Sequence, residues 1–509
     1  MARPPRLQSI SIQDFRGFPG IGNPAIKFDG RNLLIYGENG SGKSSIYKAL
    51  DGFFSIEHRS KRSRAKLLAD SGNIFTDEAD RTPSVEVVFN DGQTHRWDSA
   101  GHPNDNTANT RVYAASYRKG MLDYRSLLDL SYKHLGKKID LFPACTSVLL
   151  RDLQIPHGGS ERSLHQLWQM SKDDFDAPRH YQWLIDRLRG RLESINQGLN
   201  LALPLIRQQT DILLSEMLNG ELTLRDLEFT GLAFRWVQHK PSRKITGQRI
   251  TPTVELRGEA IDHPHTFLNE ARVSALAIAL YLAGRKVCGE SLQPDTPKLI
   301  VLDDLLVGLD QSNRLPVLRM LTKHFSKWQI VLLTHDKVWF EMARAHLPTT
   351  GQKAWNALEL YEGNGPSGYT HPVQRPLKAF DPIGGNIQRA RDFLEDHLDN
   401  AAAVHTRMAF ELSLKRFCER KSVRVPFKSD HRTLTTGDLL DSIEAWLGDN
   451  RRTTQKAALA PHIRAVKAAR RVVLNPFSHS TPVTLVSAEI REAIDVVERL
   501  ETEFNQAFP

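Results

Sequence analysis

Residues 37–45 read GENGSGKSS. Gly37, Gly40 and Gly42 precede Lys43, Ser44 and Ser45 in the pattern G-x-x-x-x-G-K-S. Glycine tolerates backbone angles that other residues avoid, so such a loop can wrap a phosphate chain and turn its N–H groups inward. A lysine at position 43 would reach the terminal phosphates, and the Ser44 hydroxyl would ligate Mg²⁺. Asn39 and Ser45 complete the expected contacts to a nucleoside triphosphate.

A phosphate loop needs an acidic partner for the metal. The segment PKLIVLDDLLVGLD (297–310) offers Asp303 and Asp304 at the end of an apolar run. Asp303 would hold Mg²⁺, and Asp304 would polarise the attacking water. In WQIVLLTHD (328–336), His335 follows a second apolar run and is placed to meet a γ-phosphate.

The elements that must position these groups are readable. RNLLIY precedes the loop as a buried strand, and a helix running on through SIYKALDGFF would aim its positive end at phosphate. Leu299–Leu302 and the run before His335 read as strands buried on both faces. Together with the opening LQSISIQDFRGF, these stretches resemble the ABC-type ATPase heads of the SMC and RecF group over about residues 7–120 and 255–360. The resemblance implies an α/β fold, ATP and Mg²⁺ as cofactors, a D-loop at LVGLD with Asp310, and a switch histidine at His335.

That group carries a signature loop, usually L-S-G-G, before a helix of small residues. FLNEARVSALAIALYLA (267–283) is the candidate. Leu268 fits, but Asn269 stands where serine is expected and Glu270-Ala271 where two glycines are. Asn269 or Arg272 is then left to contact the γ-phosphate bound by the opposite subunit. The resemblance implies a homodimer with ATP sandwiched between heads. Residues 115–130 occupy the place of the Q-loop, with no glutamine assigned to that role.

With 509 residues the chain should hold two or three domains. The expected division is an N-terminal head lobe (1–120), an insertion with a short helical hairpin and returning strands (121–265), a second head lobe (266–360), a linker (361–385) and a C-terminal all-α domain (386–509). In the insertion, Leu184, Leu188, Leu192, Ile195 and Leu199 keep helical spacing, and Pro204 is expected to interrupt it. The linker is rich in Gly and Pro and lacks periodicity. No run of 18 apolar residues and no apolar leader is present, so a cytoplasmic protein with no membrane contact is expected. Cys145, Cys288 and Cys418 are scattered and form no C-x-x-C pair. The net charge of +9 fits a nucleic-acid partner. The basic run HRSKRSRAK (58–66) could touch nucleic-acid phosphates or be a solvated loop.

In the tail, Arg407 and Glu411 stand four apart on one helical face, and His479 follows Asn475-Pro476 before the last helix. This resembles the HEPN superfamily of helical ribonucleases, most of all the PrrC/RloC anticodon-nuclease branch, where an ABC-type head is fused to a nuclease. The resemblance implies metal-independent RNA cleavage, with His479 and Glu411 sharing acid–base work and Arg407 clamping phosphate. Seven residues separate Arg471 from His479, more than the usual four to six. An Arg/Glu pair at this spacing is also an ordinary surface ion pair. The stretch 451–471 carries seven Lys/Arg and no acid, which suits an RNA track.

Two expectations follow. One is a defence ATPase whose nucleotide state controls a tail RNase that cuts tRNA on phage infection. The other is a RecF-type DNA-binding ATPase whose tail recruits a separate nuclease or repair factor. Both leave room for a separate effector or trigger protein.

Overall fold

A computed structural model describes residues 5–20, 22–54, 60–105, 111–116, 119–123, 139–179, 181–261, 264–290, 296–305, 309, 311–348, 354–364, 370–377, 382–428, 434–470 and 487–508. The chain divides into two compact units, residues 1–377 and 378–509.

The first unit is built on a six-stranded sheet. Its strand order is Thr370–Leu377, Trp355–Asn364, Asn32–Gly37, Gln329–Thr334, Leu299–Asp303 and Gly120–Asp123. Five strands are parallel, and the Thr370–Leu377 edge strand is antiparallel to its neighbour. Alternation along each strand explains why the apolar runs are continuous rather than spaced by two. Leu33 and Ile35 face one core with Ile46, Leu50, Val301 and Val331. Leu34 and Tyr36 face the other with Leu280, Leu302, Leu332 and Phe340. Each such side chain contributes roughly 1.5–3 kcal/mol when fully buried.

On the first face lies the Lys43–Phe54 helix, covered by a four-stranded antiparallel sheet that includes Leu7–Gln13 and Ser84–Phe89. The two sheets are tied at their foot by one buried amide. Gln329 Oε1 accepts from Leu7 N at 2.6 Å, and Gln329 Nε2 donates to Leu7 O and Arg31 O at 3.0 and 2.8 Å. The side chain thus completes a ladder that the backbone leaves open.

Three expectations about organisation are corrected. The Gln182–Leu218 helix runs 37 residues straight through Pro204, a length of about 55 Å. Pro204 removes one backbone hydrogen bond, but its ring and Asn200, whose carbonyl it frees, are exposed to water. Beyond it Leu203, Ile206, Leu213 and Met217 stay buried, so the apolar stripe carries the helix onward. The helical part of the insertion is therefore not short. Its strands Leu222–Phe229, Ile250–Leu256 and Glu259–Ile261 form a separate antiparallel sheet.

The expected linker at 361–385 is not one over most of its described length. Trp355–Asn364 and Thr370–Leu377 are a hairpin in the main sheet, and the next helix starts at Pro382. The boundary drawn at 120 likewise cuts the Gly120–Asp123 strand.

The second unit is helical: Pro382–Glu395, Asp399–Arg420, Thr436–Leu447, Thr453–Ala469 and Ser487–Ala507. They enclose Phe410, Leu414, Phe417, Ile443, Ile463, Ile494 and Phe504. All three cysteines are buried, and none of them forms a disulfide. Among the described residues no helix is long and apolar enough to cross a membrane.

Candidate nucleotide site

The site gathers at the carboxyl ends of the parallel strands, where such sheets place their ligands. Gly37 ends one strand, and in register with its neighbours come Leu360, Thr334, Asp303 and Asp123. The loop after Gly37 needs its glycines. Gly40 and Gly42 have φ of 93° and 97°, a region that L side chains avoid. A Cβ on Gly42 would strike Pro372, and one on Gly40 would strike the Glu362 carboxylate.

Lys43 is buried. Its Nζ donates to Gly37 O at 2.6 Å and Glu38 O at 2.9 Å. Burial lowers its pKa, against the pull of Asp304 and Asp303. Ser44 is exposed at the mouth, and its Oγ donates to Asp303 Oδ2 at 3.1 Å. Asn39 is exposed on the loop. Ser45 is buried near Gly17, and its N–H already donates to Gly42 O at 3.0 Å.

Asp303 Oδ1 is buried with no hydrogen-bond partner. Burial first, and the Asp304 charge second, push the Asp303 carboxyl up to about 6. A carboxylate with one oxygen on a serine hydroxyl and the other unsatisfied fits a divalent cation. Ser44 and Asp303 are the residues that could hold Mg²⁺.

Asp304 sits at φ 51°, held by its N–H on Leu333 O at 3.1 Å. Its Oδ1 accepts from His335 N and faces His335 Nδ1, both at 2.9 Å. The two groups expected at the γ-phosphate thus meet each other, leaving Asp304 Oδ2 and His335 Nε2 for chemistry.

Other expected residues lie elsewhere. Leu268 is buried, while Asn269 Oδ1 accepts from Arg272 N at 3.0 Å and caps the Glu270–Glu290 helix. Arg272 pairs with Glu221 at 2.8 Å. Asp310 and His479 lie outside the described residues. Arg407 and Glu411 share the Asp399–Arg420 helix, but Glu411 Oε1 accepts from Lys415 at 2.6 Å. In the basic run, Lys61, Arg62 and Lys66 are exposed on a helix rather than a loop, and Arg64 turns in to Asp105. On the tail's basic stretch, Arg452 stacks on Trp446 and Lys467 pairs with Glu444.

Two residues at the site were missed. Asp123, in the region read as a Q-loop, pairs in register with Asp303 and lies 3.7 Å from Lys48. Glu362 was hidden in the supposed linker. The alternation of Leu358, Leu360 and Glu362 is the one signal that could have marked a strand there.

These features define an α/β phosphate-loop ATPase head. Residues 6–355 match the RecF/RecN/SMC N terminal domain, and the chain belongs to that family of ATPases, which use ATP and Mg²⁺. Among solved structures it is similar to an Smc head domain with an extended coiled coil, from Pyrococcus furiosus, bound to the C-terminal domain of ScpA. Identity there is 14% and TM-score 0.36, over 77% of this chain and 99% of that one. The SMC head domain from Thermotoga maritima is 15% identical at TM-score 0.30, over 73% and 99%. The recombination mediator RecF with ATP is 12% identical at TM-score 0.41, over 73% and 100%. Comparison with curated proteins finds no match.

Proposed function

We propose that the chain binds Mg·ATP at the 37–45 loop, hydrolyses it, and passes nucleotide occupancy to its helical C-terminal unit. The unsatisfied Asp303 Oδ1 beside Ser44 carries this reading. Lys43 would exchange the Gly37 and Glu38 carbonyls for phosphate oxygens. Mg²⁺ held by Ser44 and Asp303 would neutralise charge building on the phosphates. Asp304 Oδ2 would accept the proton of the attacking water, with His335 fixing the carboxylate through Oδ1. Two heads would pair around ATP, with Asn269, Arg272 and Asp310 as candidate contacts from the opposite copy.

The route to the tail starts at the hairpin. Glu362 touches Gly40, Pro372 abuts Gly42, and the same hairpin ends at Leu377, the last residue of the head unit. Phosphate charge arriving at Gly40 would repel Glu362 and bias the hairpin.

As to the action controlled, an RNase built on Arg407, Glu411 and His479, cutting tRNA in phage defence, stands as the first proposal. The Glu411–Lys415 pair does not favour it. DNA binding through Lys61, Arg62 and Lys66 is the second.

Phosphate release by the purified chain tests the core. Lys43→Ala and Asp303→Asn should each cut Mg²⁺-dependent hydrolysis at least about 100-fold. Asp304→Asn should still bind ATP and, by sedimentation, accumulate the dimer. Wild-type rates in Asp303→Asn would sink the reading. For the tail, small RNA from cells expressing wild type or His479→Ala, with and without phage, is resolved on a gel. Intact RNA throughout removes the RNase.

A further inference from the structure

At the opposite end of the six-stranded sheet, a cleft of ≈ 340 Å³ opens beside the first residues of the strands. Asn32 begins one of them and Trp355 another. Strands rise about 3.3 Å per residue, so the cleft lies roughly 15–20 Å from Gly37 and is a separate place.

Arg6 lines this cleft. Its Nη2 donates to Asn32 Oδ1 at 2.6 Å and to Trp328 O at 3.2 Å. Its Nε is buried without a partner. Among the described residues Arg6 makes no ion pair, and burial alone lowers its pKa. A half-buried guanidinium without a carboxylate is costly, and an incoming anion would relieve that cost.

The other described lining groups suit an anion with an apolar body. Lys323 stands at the rim, exposed and paired outward with Glu216. Ser326 adds a hydroxyl, Thr322 gives its own to Arg319 O at 2.9 Å, and among the described residues no carboxylate lines the cleft. Pro348 and Trp355 give it an apolar wall. Arg6, the Lys323 hydrogens not held by Glu216 and the Ser326 hydroxyl offer more donors than a carboxylate's two oxygens can use. A phosphate monoester, with three terminal oxygens and nearly two charges, matches them.

We propose that this cleft binds a small phosphate monoester, its phosphate on Arg6 and its apolar or aromatic body against Trp355 and Pro348. The site acts independently of the phosphate loop.

Titration calorimetry of the full chain with phenyl phosphate tests this, with benzoate as the carboxylate comparison. Binding should be equal in wild type and Lys43→Ala, whose nucleotide site is disabled. It should fall at least tenfold in Arg6→Gln, and benzoate should bind at least tenfold more weakly than phenyl phosphate. Ser326→Trp, which blocks the mouth and spares the bonds of Arg6, should also abolish binding. It decides the matter if Arg6→Gln does not fold. No binding to wild type, or wild-type binding by Ser326→Trp, overturns the site. Equal binding of benzoate overturns the phosphate assignment.

Discussion

Ser44 Oγ lies 3.1 Å from Asp303 Oδ2, although 259 residues of chain separate them. The second oxygen of that carboxylate is buried and unsatisfied. One side chain is thus held by the phosphate-loop helix while remaining half unsatisfied, and the strain shows in its ionisation.

The Asp303 carboxyl is pushed from 3.8 up to about 6. A raised carboxyl pKa stabilises the fold below the unfolded pKa, and that contribution is lost as pH rises through about 6. Two pKa units amount to about 3 kcal/mol. Nucleotide-free Asp303→Asn should therefore gain on wild type between pH 4 and pH 8, by up to about 3 kcal/mol, while losing Mg²⁺-dependent hydrolysis. Urea denaturation across that range reads the gap, and a gap that does not change with pH refutes the assignment.

Glu362 presses its carboxylate on Gly40. Glu362→Gln should raise ATP affinity about two- to fivefold, the scale of an exposed charge interaction. Fluorescent-nucleotide titration at low salt measures it. An unchanged affinity would separate the hairpin from nucleotide sensing.

Gly42→Ala should abolish nucleotide binding, because φ is 97° and Pro372 occupies the space a methyl group needs. Gly92→Ala is the control: its φ is 85° with open space around it. It should cost only the left-handed backbone penalty, about 1–2 kcal/mol, and leave binding intact.

Pro204→Ala should restore the missing hydrogen bond in the Gln182–Leu218 helix. A gain of about 2 kcal/mol is expected, from a helix penalty near 3 less the lost rigidity of the unfolded chain. Thermal unfolding of wild type and variant compares them.

The groups that make contacts through a fixed local pattern were legible. The GENGSGKSS loop, the Asp303-Asp304 pair and His335 each follow a continuous apolar run, and that run marks a strand covered on both faces. What was not legible depended on partners distant in sequence. Pro204 reads as a break until the stripe from Leu203 to Met217 is seen buried. Gly363, Pro372 and Pro376 read as a linker because prolines disfavour central strands; here Pro372 and Pro376 lie on the sheet's edge strand. Asn269 is a local exception: its Oδ1 takes the N–H of Arg272, three residues on, as a helix cap. Asp123 lacked any motif, and only the register with Asp303 brings it to the site.

The Asn32–Gly37 strand lies between Gln329–Thr334 and Trp355–Leu360. During translation, at about 5–20 residues per second, the strand would wait roughly 15–60 s for both neighbours. For that time six residues buried in the finished sheet have no strand to pair with on either side. Biogenesis of this head thus depends on keeping a finished phosphate-loop segment from aggregating until its late partners emerge, and chaperone supply should limit the yield of soluble protein.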